Sequence, residues 1–173
     1  FFNTKIYTGN GSARSITGVG FQPDFLWIKQ RSGTENHQVF DAVRGTGKQI
    51  ETNANSAESS TSLQSAFDSD GFSINNAAEV NGNGATYVSW NWKANGQGSS
   101  NTDGSINTIY TSANTTSGVS IIKYTGTGSN ATVGHGLGVA PKFVIVKVLS
   151  TNNDWMVGMS TLDQAGGQPW HKY

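Results

Sequence analysis

Three glycines alternate in the stretch VGHGLGVAPKFVIVK: Gly134, Gly136 and Gly138, with His135 between the first two. A glycine-rich loop beside an apolar run can cradle a phosphate, because close backbone approach lets N–H groups point at the anion. The dinucleotide-binding pattern, however, runs strand, glycines, helix. Here the glycines precede an apolar strand, and Pro141 intervenes. Element type and order both speak against a nucleotide. RGTGKQ, residues 44–49, has the tail of a phosphate loop. The position five before Gly47 holds Ala42, though, and Gln49 follows Lys48 where Ser or Thr is required. An ordinary glycine turn is expected there.

Other chemistry-bearing residues are sparse. His37, His135 and His171 are scattered, the chain has no cysteine, and no two histidines stand three or four apart. Neither a thiolate nor a paired-imidazole metal site is expected. DSD before Gly71 lacks the later ligands of a calcium loop and reads as a turn. There is no Gly-x-Ser-x-Gly elbow. A carboxylate pair of the glycosidase kind can meet in space without a sequence signature, but the polar residues as a whole read as turn chemistry. No enzyme and no cofactor is expected. Among the aromatics, Trp27, Trp90 and Trp92 sit in strand patterns and are expected in the core. Trp155, Trp170 and Tyr173 lie in looser sequence and, with His135, are the candidate contacts for a ligand or a neighbouring subunit.

These residues must be positioned by β-structure. Charged residues are 13% of the 173, about half the usual share near 25%. The polar residues are Gly, Ser, Thr and Asn rather than Glu and Lys, so helix formers are scarce. Eight Phe, five Trp and five Tyr supply a core and argue against disorder. Net charge is zero, which argues against nucleic acid as a partner. No apolar run approaches the ~18 residues of a membrane helix, so no membrane is expected as a partner either.

Strands are expected at NTKIYTG, 24–30, 37–43, GFSINN, 85–93, SINTIYTS, VSIIKYTG, KFVIVKVLS and DWMVGM, most of them short and bounded by Gly, Asn, Asp or Pro. In ATYVSWNWK, Val88, Trp90 and Trp92 alternate with Tyr87, Ser89 and Asn91, so the Trp side is expected to face the core. FVIVKVL is almost continuously apolar, which suits a strand covered on both faces. DSDGF and NTDGSI read as Asp-Gly turns. Residues 55–69 have some helical spacing, through Leu63, Ala66 and Phe67.

An internal repeat organises the chain. YTGNGSARSITGVGFQPDFLWIK, 7–29, aligns with YTGTGSNATVGHGLGVAPKFVIVK, 124–147. Tyr7-Thr8-Gly9 matches Tyr124-Thr125-Gly126. After one inserted residue, Gly18, Gly20, Pro23, Phe25 and Lys29 match Gly136, Gly138, Pro141, Phe143 and Lys147. The division expected is a first β module at 1–97, a connecting segment with a strand at 98–118, and a partial second copy at 119–173. The second copy has no counterpart of DGFSINN or ATYVSWNWK, so either the polypeptide continues beyond Tyr173 or another chain completes it. Starting at Phe1-Phe2 without Met, the sequence reads as a processed product or an internal piece.

GFQPDFLWIK, GNGATYVSWNWKA and GHGLGVAPKFVIVK, together with FDAVRG, DSDGF and NTDGSI, resemble a domain of tail-fibre-like and other virion structural proteins of bacteriophages, especially marine ones. The resemblance spans nearly the whole chain. It implies a virion component on an extracellular particle. Other copies of itself and other virion proteins are the partners expected, with a host-surface glycan as a further one. The fold class expected is all-β, with β-sandwich or jelly-roll-like (lectin-like) modules, the second incomplete in this chain.

Overall fold

The computed structural model describes residues 1–159 and the strand of residues 170–172. The protein is all-β; the described residues form antiparallel sheets and one short helix.

The first repeat builds a sandwich. Its larger sheet has the order β1 (Phe2–Thr8), β9 (Thr86–Trp92), β3 (Phe25–Gln30), β4 (Gln38–Asp41), β5 (Lys48–Glu51), β6 (Ser59–Ser60). The smaller sheet is β2 (Arg14–Thr17), β8 (Gly71–Ile74), β7 (Gln64–Asp68). Between them, Ile16, Phe72 and Ile74 of the smaller sheet meet Tyr7, Leu26, Ile28, Phe40 and Tyr87 of the larger. Each sheet buries the apolar face it could not leave in water. The helix α1 (Ala78–Asn81) closes one end, with Val80 in the same core.

The segment expected to have helical spacing forms β6 and β7 instead. Its Ser and Thr residues favour local backbone bonding over helix. Leu63, just before β7, and Phe67, within it, both reach the core, with a register shift at Ser65 between them. Strand pairing with β8 thus explains the spacing that suggested a helix. The turn reading of RGTGKQ holds, with Gly45 and Gly47 in the left-handed region.

A third sheet, β10 (Ser99–Asn101), β11 (Thr108–Asn114) and β12 (Val119–Lys123), follows. Two strands thus lie before the second copy begins. The sheet is tied to the sandwich by Asn95 N–H to Ser112 Oγ at 2.8 Å, Asn114 Nδ2 to Ala94 O at 3.0 Å, and Ser117 Oγ to Lys93 O at 2.9 Å.

The fourth sheet is β13 (Phe143–Val146), β14 (Met156–Met159) and β15 (Trp170–Lys172). It reproduces β3–β4–β5 of the first repeat. Phe25 pairs with Asp41 and Phe143 with Met159; Ile28 pairs with Gln38 and Val146 with Met156. Each residue of the later pairs stands 118 positions after its counterpart, so the β3–β4 register recurs in β13–β14, whereas the third strand is set three residues further along: Gln38 pairs with Glu51, but Met156 with Lys172. Unlike the expectation for FVIVKVL, β13 is not covered on both faces. Phe143 is 52% and Ile145 46% exposed. Leu26, the counterpart of Val144, is fully buried, whereas Val144 itself is only half-buried.

The two copies are joined side to side. Glu58 N–H donates to Leu149 O at 2.9 Å, Asn153 N–H to Asn55 O at 2.8 Å, and Lys147 Nζ to Asn55 O at 3.3 Å. Among the described residues no helix is long and apolar enough to cross a membrane.

Candidate functional site

The strand β9 decides what the protein presents to its surroundings. Its inward side chains are Tyr87, Ser89 and Asn91, all fully buried; Val88, Trp90 and Trp92 point the other way and are half-buried. This reverses the expectation that the Trp residues form the core. The neighbours of β9 set the choice. Leu26 pairs with Asn91 and Ile28 with Ser89, and both Leu26 and Ile28 face the smaller sheet. The polar side chains beside them are made tolerable by hydrogen bonds. Asn91 Nδ2 donates to Asn3 O at 3.1 Å and to Ser89 Oγ at 3.0 Å.

The outer face of the large sheet consequently carries a line of rings. Phe2 of β1 lies 4.9 Å from Trp92 of β9, and Phe25 of β3 lies 5.4 Å from Trp92, edge to face. One step along the same strands, Trp27 and Trp90 meet edge to face at 5.6 Å. His37 ends the line, 5.6 Å from Trp27, accepting at Nδ1 the indole N–H of Trp27 at 2.8 Å. Burial, and then the nearby charge of Lys29, push the imidazole of His37 below its ordinary value, which favours the neutral ring that this bond requires. At the open end of the line Phe2 is 54% exposed, with Ile6 at 63% on the same side of β1. Such a face can stack on a flat, partly apolar surface such as a sugar ring or a partner's side chains. No single residue type in the sequence pointed to it. The signal that could have found it is the pairing of an aromatic-bearing strand with another whose opposite face is better matched to a core.

The glycine loop of the first copy is anchored by a carboxylate. Asp70, in the DSDGF turn, accepts the amide of Gly20 at 2.6 Å and that of Gly18 at 2.9 Å, while its carbonyl takes Val19 N–H at 3.1 Å. Gly18 and Gly20 have φ of 79° and 87°, the left-handed region in which a side chain is strained. The loop does bind an anion, and the anion is the protein's own turn. The amides of Gly20 and Gly18 hold the Asp70 carboxyl below its ordinary 3.8.

A pH dependence follows. The folded-state value lies below the unfolded one, so the clamp contributes fully above pH 3.8 and is lost as pH falls through the lower folded value. Protection of the Gly18 and Gly20 amides, measured against an unstructured peptide at the same pH, should therefore persist below pH 3.8 and fall away as Asp70 is protonated. In Asp70→Ala that protection should be lost at every pH. Equal protection in the variant and the parent protein would contradict the clamp.

The second glycine loop is built differently. Gly136 and Gly138 keep left-handed φ of 67° and 72°, but no carboxylate spans their amides among the described residues. The NTDGSI turn packs there: Ile106 N–H donates to Thr132 O at 3.0 Å, and Ser105 and Thr132 exchange amide-to-hydroxyl bonds at 2.9 Å. His135 lies in this loop with its Nδ1 accepting Leu137 N–H at 3.1 Å. It borders an open depression of about 410 Å³ with Asp103.

The other candidate contacts are placed as follows. Trp155 sends its indole N–H to the carbonyls of Glu51 at 3.0 Å and Ala54 at 3.1 Å, which makes it a rivet between the two copies. Trp170 contributes its backbone to β15, opposite Gly158. Tyr173 lies outside the described residues. The aromatic face of β1, β9 and β3 uses neither Trp155 nor His135. Among the described residues no three His, Asp or Glu side chains come together to hold a metal ion.

Comparison with the curated proteins and with solved structures gives no match. One family model, described as a domain of unknown function (DUF7483), matches residues 1–169, nearly the full length of the chain. The chain belongs to that family.

Proposed function

We propose that the protein is a non-enzymatic structural component of a phage virion, placed in a tail fibre or similar appendage and assembled with other copies of itself and other virion proteins. The observation that carries this reading is the duplicated β module whose second copy keeps the β3–β4 register of the first in β13–β14 but leaves apolar side chains on β13 in water. Surfaces of this kind are normally covered in an assembly. The resemblance of GFQPDFLWIK, GNGATYVSWNWKA and GHGLGVAPKFVIVK to virion proteins supports the same reading. So does the use of charged groups as internal fasteners, such as Asp70 on its glycine loop.

Gold-labelled antibody raised against the folded protein tests it on purified particles of the phage that carries it. Label on tail appendages is the expected result. Label on the head would replace the proposal by a capsid decoration or head-fibre role, and unlabelled particles would end it.

The aromatic face favours a second reading, a carbohydrate-binding adhesion module of a cell-surface or extracellular filament protein. Half-exposed Trp27, Trp90 and Trp92 are suited to stacking on sugar rings. Titration across a glycan array should then show a response that Trp92→Ala reduces. Flat responses across all sugars remove this reading.

A further inference from the structure

The first copy of the module shows what the second one lacks. In the first, β3 has two neighbours, β4 on one side and β9 on the other. In the second, β13 pairs with β14 in the conserved register and, among the described residues, with nothing on its other side. β12, the counterpart of β1, pairs with β11 rather than with a β9-like strand.

The side chains around this gap are those that would be covered. Of the ten large apolar side chains exposed among the described residues, Tyr124, Val139, Phe143, Ile145, Val148 and Met159 belong to the second copy. Tyr124 is 43% exposed, whereas its counterpart Tyr7 is 8% exposed, stacked 5.1 Å from Tyr87 of β9 and bonded through its hydroxyl to Val80 O at 2.7 Å. Gly9, in the same Tyr-Thr-Gly motif, has no room for a side chain because Gly82 O lies where a Cβ would go; at Gly126 the corresponding space is open. The second copy thus retains residues shaped for a β9-type strand and the segment before it.

The geometry points to β13 as an acceptor edge for a strand of the β9 type. Its occupant would be about seven residues long and antiparallel to β13. It would turn small polar and Tyr side chains toward the face of Val144 and Val146, and Val and Trp toward the face of Phe143 and Ile145. Strand addition of this kind gains affinity from main-chain hydrogen bonds and specificity from alternate side chains. The register is set by the template: Trp92 opposite Phe25 in the first copy places the equivalent Trp opposite Phe143. The inference rests on the repeat alone and holds whatever particle, filament or surface carries the chain.

A synthetic peptide of residues 85–93, ATYVSWNWK, tests this on the intact protein by backbone hydrogen exchange, with a scrambled peptide of the same composition as control. At ten times its dissociation constant, the peptide should slow exchange of the Phe143–Val146 amides about tenfold. A Phe143→Asp, Ile145→Asp variant, altered only at exposed positions, should lose this protection. The inference is overturned if the 143–146 amides are unaffected up to millimolar peptide. It is equally overturned if the scrambled peptide protects them as well, or if protection appears on β1 and β3 instead, which would mean exchange with the resident β9. A peptide-independent dimer paired through β13 of each copy would replace the β9-type occupant by a second copy of the chain and would also overturn it.

Discussion

Phe72→Ala is expected to destabilise the protein by about 3–5 kcal/mol, among the largest effects of a side-chain truncation in the sandwich. Phe72 is fully buried at the middle of β8, the central strand of the smaller sheet. Its backbone partners are Ile16 on one side and Phe67 on the other, and its ring meets that of Tyr7 edge to face at 6.3 Å. Removing it takes away the transfer free energy of the ring and leaves a cavity between two sheets that strand pairing holds in place. Urea unfolding followed by circular dichroism measures the loss. Phe2→Ala, at a ring 54% exposed, is the control and should cost less than about 1 kcal/mol. If Phe72→Ala costs no more than Phe2→Ala, the two sheets do not pack through this residue.

Arg44→Ala is expected to cost about 3–5 kcal/mol as well, for an electrostatic reason. Asp41 and Arg44 close the turn after β4, and their side chains are only 6% and 4% exposed. Arg44 Nε bonds the Asp41 carboxylate, one terminal nitrogen reaches Glu58 at 3.4 Å, and the other donates to Val39 O at 3.2 Å. Deleting the guanidinium leaves the Asp41 carboxylate buried with the Arg44 backbone amide as its remaining donor, at 2.8 Å. Arg44→Lys should restore little, since a point charge cannot reach three acceptors in one plane. Combining Arg44→Met with Asp41→Asn should recover most of the loss, because the carboxylate then left without its partner is that of Glu58, the more exposed of the two at 17% against 6%. Denaturant titrations of the single and double variants give the coupling directly. A loss below about 1 kcal/mol for Arg44→Ala, the size of a surface pair, would contradict the buried cluster.

The two predictions separate features that differ in legibility. Arg44 stood in the sequence as part of a failed phosphate-loop pattern, and nothing nearby marked Asp41 and Glu58 as its partners. Asp70 was readable as a turn residue, but not as the anchor of Gly18 and Gly20 some fifty positions earlier. The repeat was different. Matching Gly, Pro, Phe and Lys at a fixed spacing already implied that 24–30 and 142–147 are the same element, and the conserved pairing of β3–β4 and β13–β14 bears that out. Of the four residues singled out as contacts, Trp155 is held by carbonyls of the first module, and looseness of sequence around it gave no warning of that.

What the sequence determined by itself is local. Scarce helix formers, β-branched and aromatic runs, Asp-Gly turns and the duplicated YTG…G-x-G…P pattern together dictate an all-β chain with its strands near the observed places. Each rests on the preferences of a few adjacent residues. Only the tertiary structure decided which face of each strand is the inside. A period of two separates Tyr87, Ser89 and Asn91 from Val88, Trp90 and Trp92, but it cannot say from which side another sheet will arrive. Leu26 and Ile28 on the next strand, and Ile16 and Phe72 across the core, decided that, and Asn3 supplied the acceptor that makes a buried Asn91 affordable. These contacts join residues that are near neighbours in space but up to 88 positions apart in the chain. The aromatic face exists because those distant contacts placed the polar side of β9 inward.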